Sequence, residues 1–221
     1  LLRQHLGIKQ INLLIGGSMG GQQVLEWAVQ SPDLFEYIIP IATNAKHSPW
    51  AIAFNESQRM AMEADPTLFT NEPNAGHKGL EAARAIAMLS YRHYITYNKS
   101  QQDESENLEN FRAASYQKYQ GLKLRKRFEP LAYYALSKAM DSQDVGRGRG
   151  GLEKALSRIT AKTLVISLDT DILFPPSEQK FIADHIKNAQ YKKVKSDFGH
   201  DGFLIEYEQL EKYISAFLNK K

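Results

Sequence analysis

The sequence predicts an α/β fold: a mostly parallel sheet flanked by helices, with an all-helical segment inserted into it. Three observations predict it. Short apolar runs near both ends of the chain alternate with helical patterns, as a parallel sheet requires. One of these runs, at 11–15, leads straight into a glycine-rich turn and then a helix. Between 46 and 158 no convincing strand occurs.

Taken in order, the first element is the end of a helix, stopped near Gly7. The run at 11–15 (Ile-Asn-Leu-Leu-Ile) is apolar on both faces except at Asn12, the mark of a buried parallel strand. A helix is expected to begin near Gln22. A second strand is expected at 37–41, a third at 163–168 and a fourth at 191–195. The fourth is rich in lysine, which suits an outer strand because edge lysines discourage pairing with other chains. A strand like 11–15 needs neighbours on both sides, and the later runs can cover one side only. The sequence also starts at Leu1 without an initiator Met. The chain is therefore expected to be the C-terminal part of a larger protein, with the first strands of the sheet upstream.

The middle of the chain reads as helices at roughly 49–64, 77–94, 105–120, 130–142 and 151–158. Ser105 followed by Glu106 and Glu109 resembles a capped helix start, while Asp65-Pro66 and the 72–76 stretch break the pattern. Three segments follow: a core segment at 1–45 carrying the glycine-rich turn, a helical lid at 46–158, and a second core segment at 159–221. No internal repeat is present.

Composition narrows the class. The 221 residues are 43% hydrophobic and 24% charged, which marks a globular chain and not a disordered one. There is no cysteine. Disulfides, thiol nucleophiles and cysteine-based zinc sites are thereby excluded, and the chain suits a reducing compartment, the cytoplasm. No apolar run approaches the ~20 residues that cross a membrane. The net charge of +3 is uneven: residues 46–158 hold 17 Lys and Arg against 13 Asp and Glu. Lys118, Lys123, Arg125, Lys126 and Arg127 cluster without an acid. Such a run is most often a solvated helix face; the sharper reading is steering of an anionic substrate such as a nucleotide thioester. No nucleic-acid-binding motif accompanies it.

The chemistry is concentrated at 15–21, Ile-Gly-Gly-Ser-Met-Gly-Gly. The pattern G-x-S-x-G (Gly16, Ser18, Gly20) follows a strand and precedes a helix. A serine there is pushed out of the sheet on a sharp turn, and the first N–H groups of the helix face an anion. The glycines are expected because a side chain at either flank would collide with the turn. Ser18 is thus a candidate nucleophile, and it needs a base oriented by a carboxylate. In the α/β-hydrolase fold these follow in the order Ser, Asp or Glu, His. Asp171, after the run at 163–168, and His200, in Phe-Gly-His-Asp-Gly, supply that order. Asp169 is a rival for the acid. The other histidines (His5, His47, His77, His93, His185) lack a partner pattern and are read as surface or lid residues. No pair has metal-ligand spacing, so neither metal nor tightly held cofactor is expected. The glycines at 146–151 follow no strand, which rejects a dinucleotide fingerprint.

Four stretches together resemble the homoserine O-acetyltransferase family. They are Gly16-Gly17-Ser18-Met19-Gly20-Gly21-Gln22-Gln23, Asp171-Ile172-Leu173-Phe174-Pro175-Pro176, Gly199-His200-Asp201-Gly202-Phe203-Leu204 and the 144–151 segment. The similarity runs over essentially the whole chain. It implies an α/β-hydrolase fold with a helical lid, and a homodimer built through the lids. It implies transfer of an acetyl group from acetyl-CoA to the hydroxyl of L-homoserine, a step towards methionine. On motif match Ser18 is the nucleophile, Asp171 the acid (over Asp169) and His200 the base. Arg84 on the helix at 79–92 would bind the homoserine carboxylate, with Tyr91 nearby, and Asp201 the amino group. The Met19 N–H would supply one oxyanion donor; the second is expected upstream of Leu1, so the 221-residue piece is expected to be nearly inert alone even if folded. Members of closely similar pattern use succinyl-CoA, or acylate serine.

Arg84 and Tyr91 are seven apart and share a helix face. An arginine fork fits a carboxylate at two points. The bland alternatives are a surface arginine at 84 and a turn or N-cap residue at 201. A serine esterase on the same scaffold shares the three residues and differs in the acceptor site. A non-catalytic dimerisation module is the other rival.

Overall fold

The computed structural model describes residues 1–104, 106 and 108–219. A short helix α1 (Leu2–His5) ends at Gly7, whose φ of 65° turns the chain into β1 (Ile11–Gly17). Then come α2 (Met19–Gln30), a 3₁₀ turn at Pro32–Leu34 and β2 (Phe35–Ile41). Five helices follow among the described residues: α3 (Pro49–Glu63), α4 (His77–Tyr91), α5 (Tyr94–Gln101), α6 (Arg112–Arg125) and α7 (Pro130–Asp141). After α8 (Leu152–Leu156) the chain returns to the sheet with β3 (Lys162–Leu168), α9 (Pro176–His185) and β4 (Ala189–Val194). A 3₁₀ turn at Gly199–Asp201, α10 (Gly202–Ile205) and α11 (Tyr207–Leu218) complete it.

The four strands are parallel and lie in the order β1-β2-β3-β4. Their side chains alternate between two cores. Ile38 and Val165 point to one face, with Val24, Leu25 and Ala28 of α2 and Ile182 of α9. Ile39, Ile41, Leu164 and Ile166 point to the other, with Leu210 and Phe217 of α11. Period-two alternation is what lets each strand fill both layers at once. β4 is an edge strand, with Lys192 and Lys193 exposed. β1 forms the other edge; none of its residues is buried and Ile15 is 47% exposed.

The helices between β2 and β3 have a core of their own, Met62, Leu68, Leu80, Ala83 and Leu124. At their base two chain segments run antiparallel: His47 N–H donates to Gln143 C=O at 2.9 Å, and Val145 N–H to Ala45 C=O at 3.0 Å. Arg149 forks onto Glu26 of α2 at 2.8 and 2.6 Å, tying this return segment to the sheet layer.

Three expectations about the helices need correction. The helix after Ser18 starts at Met19, not Gln22, because the chain turns sharply enough to enter it at once. The helix expected at 77–94 breaks at Tyr91, and α5 follows, which the sequence reading lacked. The helix expected at 105–120 occupies Arg112–Arg125. Ser105 lies outside the described residues. The carboxylate at the true start is Asp103, which accepts from the Arg112 N–H at 2.9 Å across nine residues. Local cap patterns cannot reveal a cap supplied from that far upstream.

Candidate active site

Ser18 stands between β1 and α2 with φ 55° and ψ −124°. That backbone is unfavourable for a residue with a Cβ, costing about 1–3 kcal/mol, and persists only where neighbours enforce it. They do so here. The Ser18 N–H donates to Ile41 C=O at 2.9 Å, and its C=O accepts from Thr43 Oγ1 at 2.8 Å and from the Gly21 N–H at 2.9 Å. A Cβ on Gly16 would lie 2.4 Å from the Gly20 carbonyl oxygen. The turn therefore closes only with glycine at 16. At Gly20 the expected collision is absent: a Cβ there would meet nothing within 4 Å.

His200 reaches Ser18 from the far end of the chain. Its Nε2 is 2.9 Å from Ser18 Oγ, and its Nδ1 is 2.7 Å from Asp171 Oδ2. An ionised carboxylate only accepts, so Nδ1 carries the proton and Nε2 is left to accept from the serine hydroxyl. Asp171 is 3% exposed, and its other oxygen takes the Leu173 and Phe174 N–H groups at 2.9 Å each. The rival Asp169 does something else. Its Oδ1 accepts from the Ser196 N–H at 2.8 Å and so pins the His200 loop to the end of β3. Thr170 adds to this: its hydroxyl donates to Ser196 C=O at 2.7 Å and accepts from the Gly199 N–H at 3.1 Å. The imidazole of His200 lies among the rings of Phe174, Phe203 and Tyr91, with centroids 5.2–5.7 Å away.

A cavity of about 360 Å³ opens above Ser18, walled by Gly17, Met19 and Gly20 below and by the inserted helices above. The Met19 N–H opens helix α2 and has no partner among the described residues. Arg84 and Tyr91 both line the cavity, and the guanidinium carbon sits 5.2 Å from the Tyr91 ring centroid. Burial pushes the phenols of Tyr91 and Tyr133 up, so both stay neutral donors. Asp201 shares the turn of His200 but already has a cation: its Oδ2 is 3.1 Å from Arg92 Nε. Burial raises the Asp201 carboxyl, and Arg92, His200 and Arg84 oppose that.

His47, read as a surface or lid residue, lies at the start of the inserted segment, where it is 2% exposed and lines the cavity. Its Nδ1 is 3.1 Å from Gln22 Nε2 on α2, and its Nε2 is 3.2 Å from Asn55 Nδ2 on α3. Asn55 donates on to Asp141 of α7 at 2.8 Å. Gln22 donates to Asn44, and Asn44 to Glu178, each at 3.0 Å. His47 thus joins the helix that begins after Ser18 to the inserted helices. Among the described residues no group of three or more His, Asp or Glu side chains is placed to hold a metal ion. No helix among them is long and apolar enough to cross a membrane.

Comparison with known proteins agrees with this architecture. A homoserine O-acetyltransferase of Cyclobacterium marinum is 53% identical over 216 residues, which is 98% of this chain and 62% of that protein. This chain therefore spans less than two thirds of that relative's length. The crystal structure of homoserine O-acetyltransferase from Bacillus anthracis superposes with a TM-score of 0.92 at 22% identity, covering 100% of this chain and 63% of that one. An acetylester hydrolase from Corynebacterium glutamicum gives a TM-score of 0.80 at 26% identity over 93% of this chain and 59% of its own. Residues 1–207 match the family model for the alpha/beta hydrolase fold. The chain belongs to the alpha/beta hydrolase fold family.

Proposed function

We propose that the chain carries the catalytic residues of a homoserine O-acetyltransferase, moving an acetyl group from acetyl-CoA to the side-chain hydroxyl of L-homoserine. The observation that carries the chemistry is the unbroken chain from Ser18 Oγ through His200 to Asp171, at 2.9 and 2.7 Å. The likeness at 53% identity to a protein of that name supports the substrates.

The reaction is a double displacement. His200 takes the Ser18 proton as Oγ attacks the thioester carbonyl, and Asp171 stabilises the imidazolium that forms. The Met19 N–H faces the developing oxyanion; one such donor is typically worth about 10²–10³ in rate. The carbon–sulfur bond breaks, and His200 returns the proton to the CoA sulfur. The homoserine hydroxyl then gives its proton to His200 and attacks the acetyl-Ser18 carbonyl; the bond from that carbon to Ser18 Oγ breaks, and His200 returns the proton to Oγ, which frees Ser18. Water competes at that stage. The inserted helices, which roof the cavity, act as the lid that limits it. Arg84 takes the acceptor carboxylate. Asp201 takes its ammonium, in exchange for part of its pairing with Arg92. No metal or bound cofactor enters the scheme. A homodimer joined through the lids and a cytoplasmic location complete the reading.

A serine esterase is the second reading, favoured by the likeness to the acetylester hydrolase. Arg84 separates the two. CoA release is followed with a thiol reagent in the complete reading frame, with and without L-homoserine, using acetyl-CoA and succinyl-CoA in parallel. Homoserine-dependent release that vanishes in Ser18→Ala is the expected result. Arg84→Ala should lower homoserine transfer relative to ester hydrolysis by at least tenfold, the worth of a charge-assisted pair. Equal losses in both would remove the acceptor assignment, and release indifferent to homoserine would make the protein a hydrolase.

A further inference from the structure

The basic run at 118–127 is mostly exposed, as a solvated face is, but its five residues differ in their partners. Arg125 is consumed by Glu81 at 2.6 Å, and Lys123 lies over the Tyr119 ring. Lys118 and Lys126 face solvent. Arg127, just past the end of α6, alone of the five lines the Ser18 cavity. It forms no ion pair and no side-chain hydrogen bond among the described residues, and it is exposed, so it stands at the mouth and not at the floor.

The charge of this cavity is one-sided. Its lining holds two guanidinium groups, Arg84 and Arg127, while Asp201, the carboxylate assigned to the acceptor's ammonium, lies outside that lining and is already paired with Arg92. A wall of that kind favours a ligand that brings more than one negative charge. An amino-acid acceptor brings a single carboxylate, which Arg84 answers. The second cation is left without a partner in the acceptor. The acyl donor provides one. Its reacting carbonyl must reach Ser18, so its phosphates, at the far end of a long arm, stay where the cavity opens. That is the position of Arg127, and a guanidinium fork matches a phosphate at two points.

We propose that Arg127 binds the phosphate-bearing end of the acyl donor at the mouth of the Ser18 cavity, an assignment that rests on the acyl-CoA transfer reading above. It makes Arg127 a donor-selecting residue, distinct from the Arg84 acceptor contact.

The test compares two donors in the complete reading frame: acetyl-CoA, and acetyl-pantetheine, which lacks the phosphates and the nucleotide. The measured quantity is the ratio of kcat/KM for the two at saturating L-homoserine. Arg127→Ala should lower that ratio roughly tenfold, and Arg127→Glu further, which is the scale of one lost charge-assisted contact. Arg127→Lys should fall between, since it keeps the charge and loses the fork. The effect should shrink as salt is raised. An unchanged ratio in both Arg127→Ala and Arg127→Glu overturns the proposal, as does a rise confined to the KM of homoserine, which would make Arg127 an acceptor contact. If the unsubstituted protein used neither thioester, the transferase reading itself would fall and this assignment with it. Active protein with an indifferent Arg127 would remove only the latter.

Discussion

His200 Nε2 lies 2.9 Å from Ser18 Oγ, although 182 residues separate them. The whole insertion and three of the four described strands intervene. Two devices hold this distance. Ser18 is fixed from below by Ile41 and Thr43, and the His200 loop is fixed to the end of β3 by Asp169 and Thr170. The pair is thus positioned by the parallel sheet itself, whose strand ends set the spacing of the loops.

Asp171→Asn tests the orientation of that pair. The amide can keep one oxygen towards the Leu173 and Phe174 N–H groups, so the loop should hold. Its NH₂ group then faces Nδ1 of His200, where the carboxylate oxygen was at 2.7 Å. Two donors cannot share that contact, and the imidazole is driven into the tautomer that presents Nε2–H to the serine. A fall in kcat of about 10⁴ is expected, the size seen for such a change in serine proteases. The melting temperature should change far less. A kcat within tenfold of the parent would dismiss Asp171 as the orienting acid.

The glycines of the turn give a second test, because the structure separates two that the motif treats alike. Gly16→Ala places a methyl 2.4 Å from a backbone oxygen, and no side chain there can move aside. Overpacking of this kind costs about 1–3 kcal/mol or more. Gly20→Ala meets open space. Its cost should be near zero, since alanine also suits a helix better than glycine. Urea unfolding of the two variants, with fluorophosphonate labelling of Ser18 as the readout of the turn, decides the matter. Similar losses in both would mean that the motif, not the steric contact, sets the requirement.

Much of this architecture was legible because it depends on short-range order. The strand-turn-helix at 11–30 announces itself by an apolar run followed by glycines. The order Ser18, Asp171, His200 follows from strand ends that each carry one loop. The choice of Asp171 over Asp169 came from the neighbouring Phe-Pro sequence and not from physics; both carboxylates lie at the end of β3, and each has a definite partner. What stayed hidden depends on partners far apart in sequence. The start of α6 is set by Asp103, nine residues upstream. The burial of His47 is visible only once Gln22, Asn55 and Asp141 are brought around it. A lone histidine before a Ser-Pro helix start carries no local sign of that network.

His47 also makes the fold sensitive to acid. Burial lowers its pKa below the ordinary 6.5; Asp141, 3.8 Å away, opposes this, and Arg59 reinforces it. The groups around it are Gln22 on α2, Asn55 and Arg59 on α3, and Asp141 on α7. In the unfolded chain the imidazole gains a proton as pH falls through 6.5, while in the fold it resists until a lower pH. The unfolded state then holds more protons, so stability is fully present above 6.5 and is lost as pH falls towards the folded value. His47→Gln removes this titration and keeps a polar side chain in the pocket. The variant should be less stable than the parent at about pH 7.5, where buried hydrogen bonds worth about 1 kcal/mol each are altered. Between there and about pH 5.5 it should lose less stability than the parent, because one proton-linked term is gone. Urea unfolding at both pH values measures the two losses. Parallel losses would show that His47 is not the group that couples the joint between α2 and the inserted helices to acid.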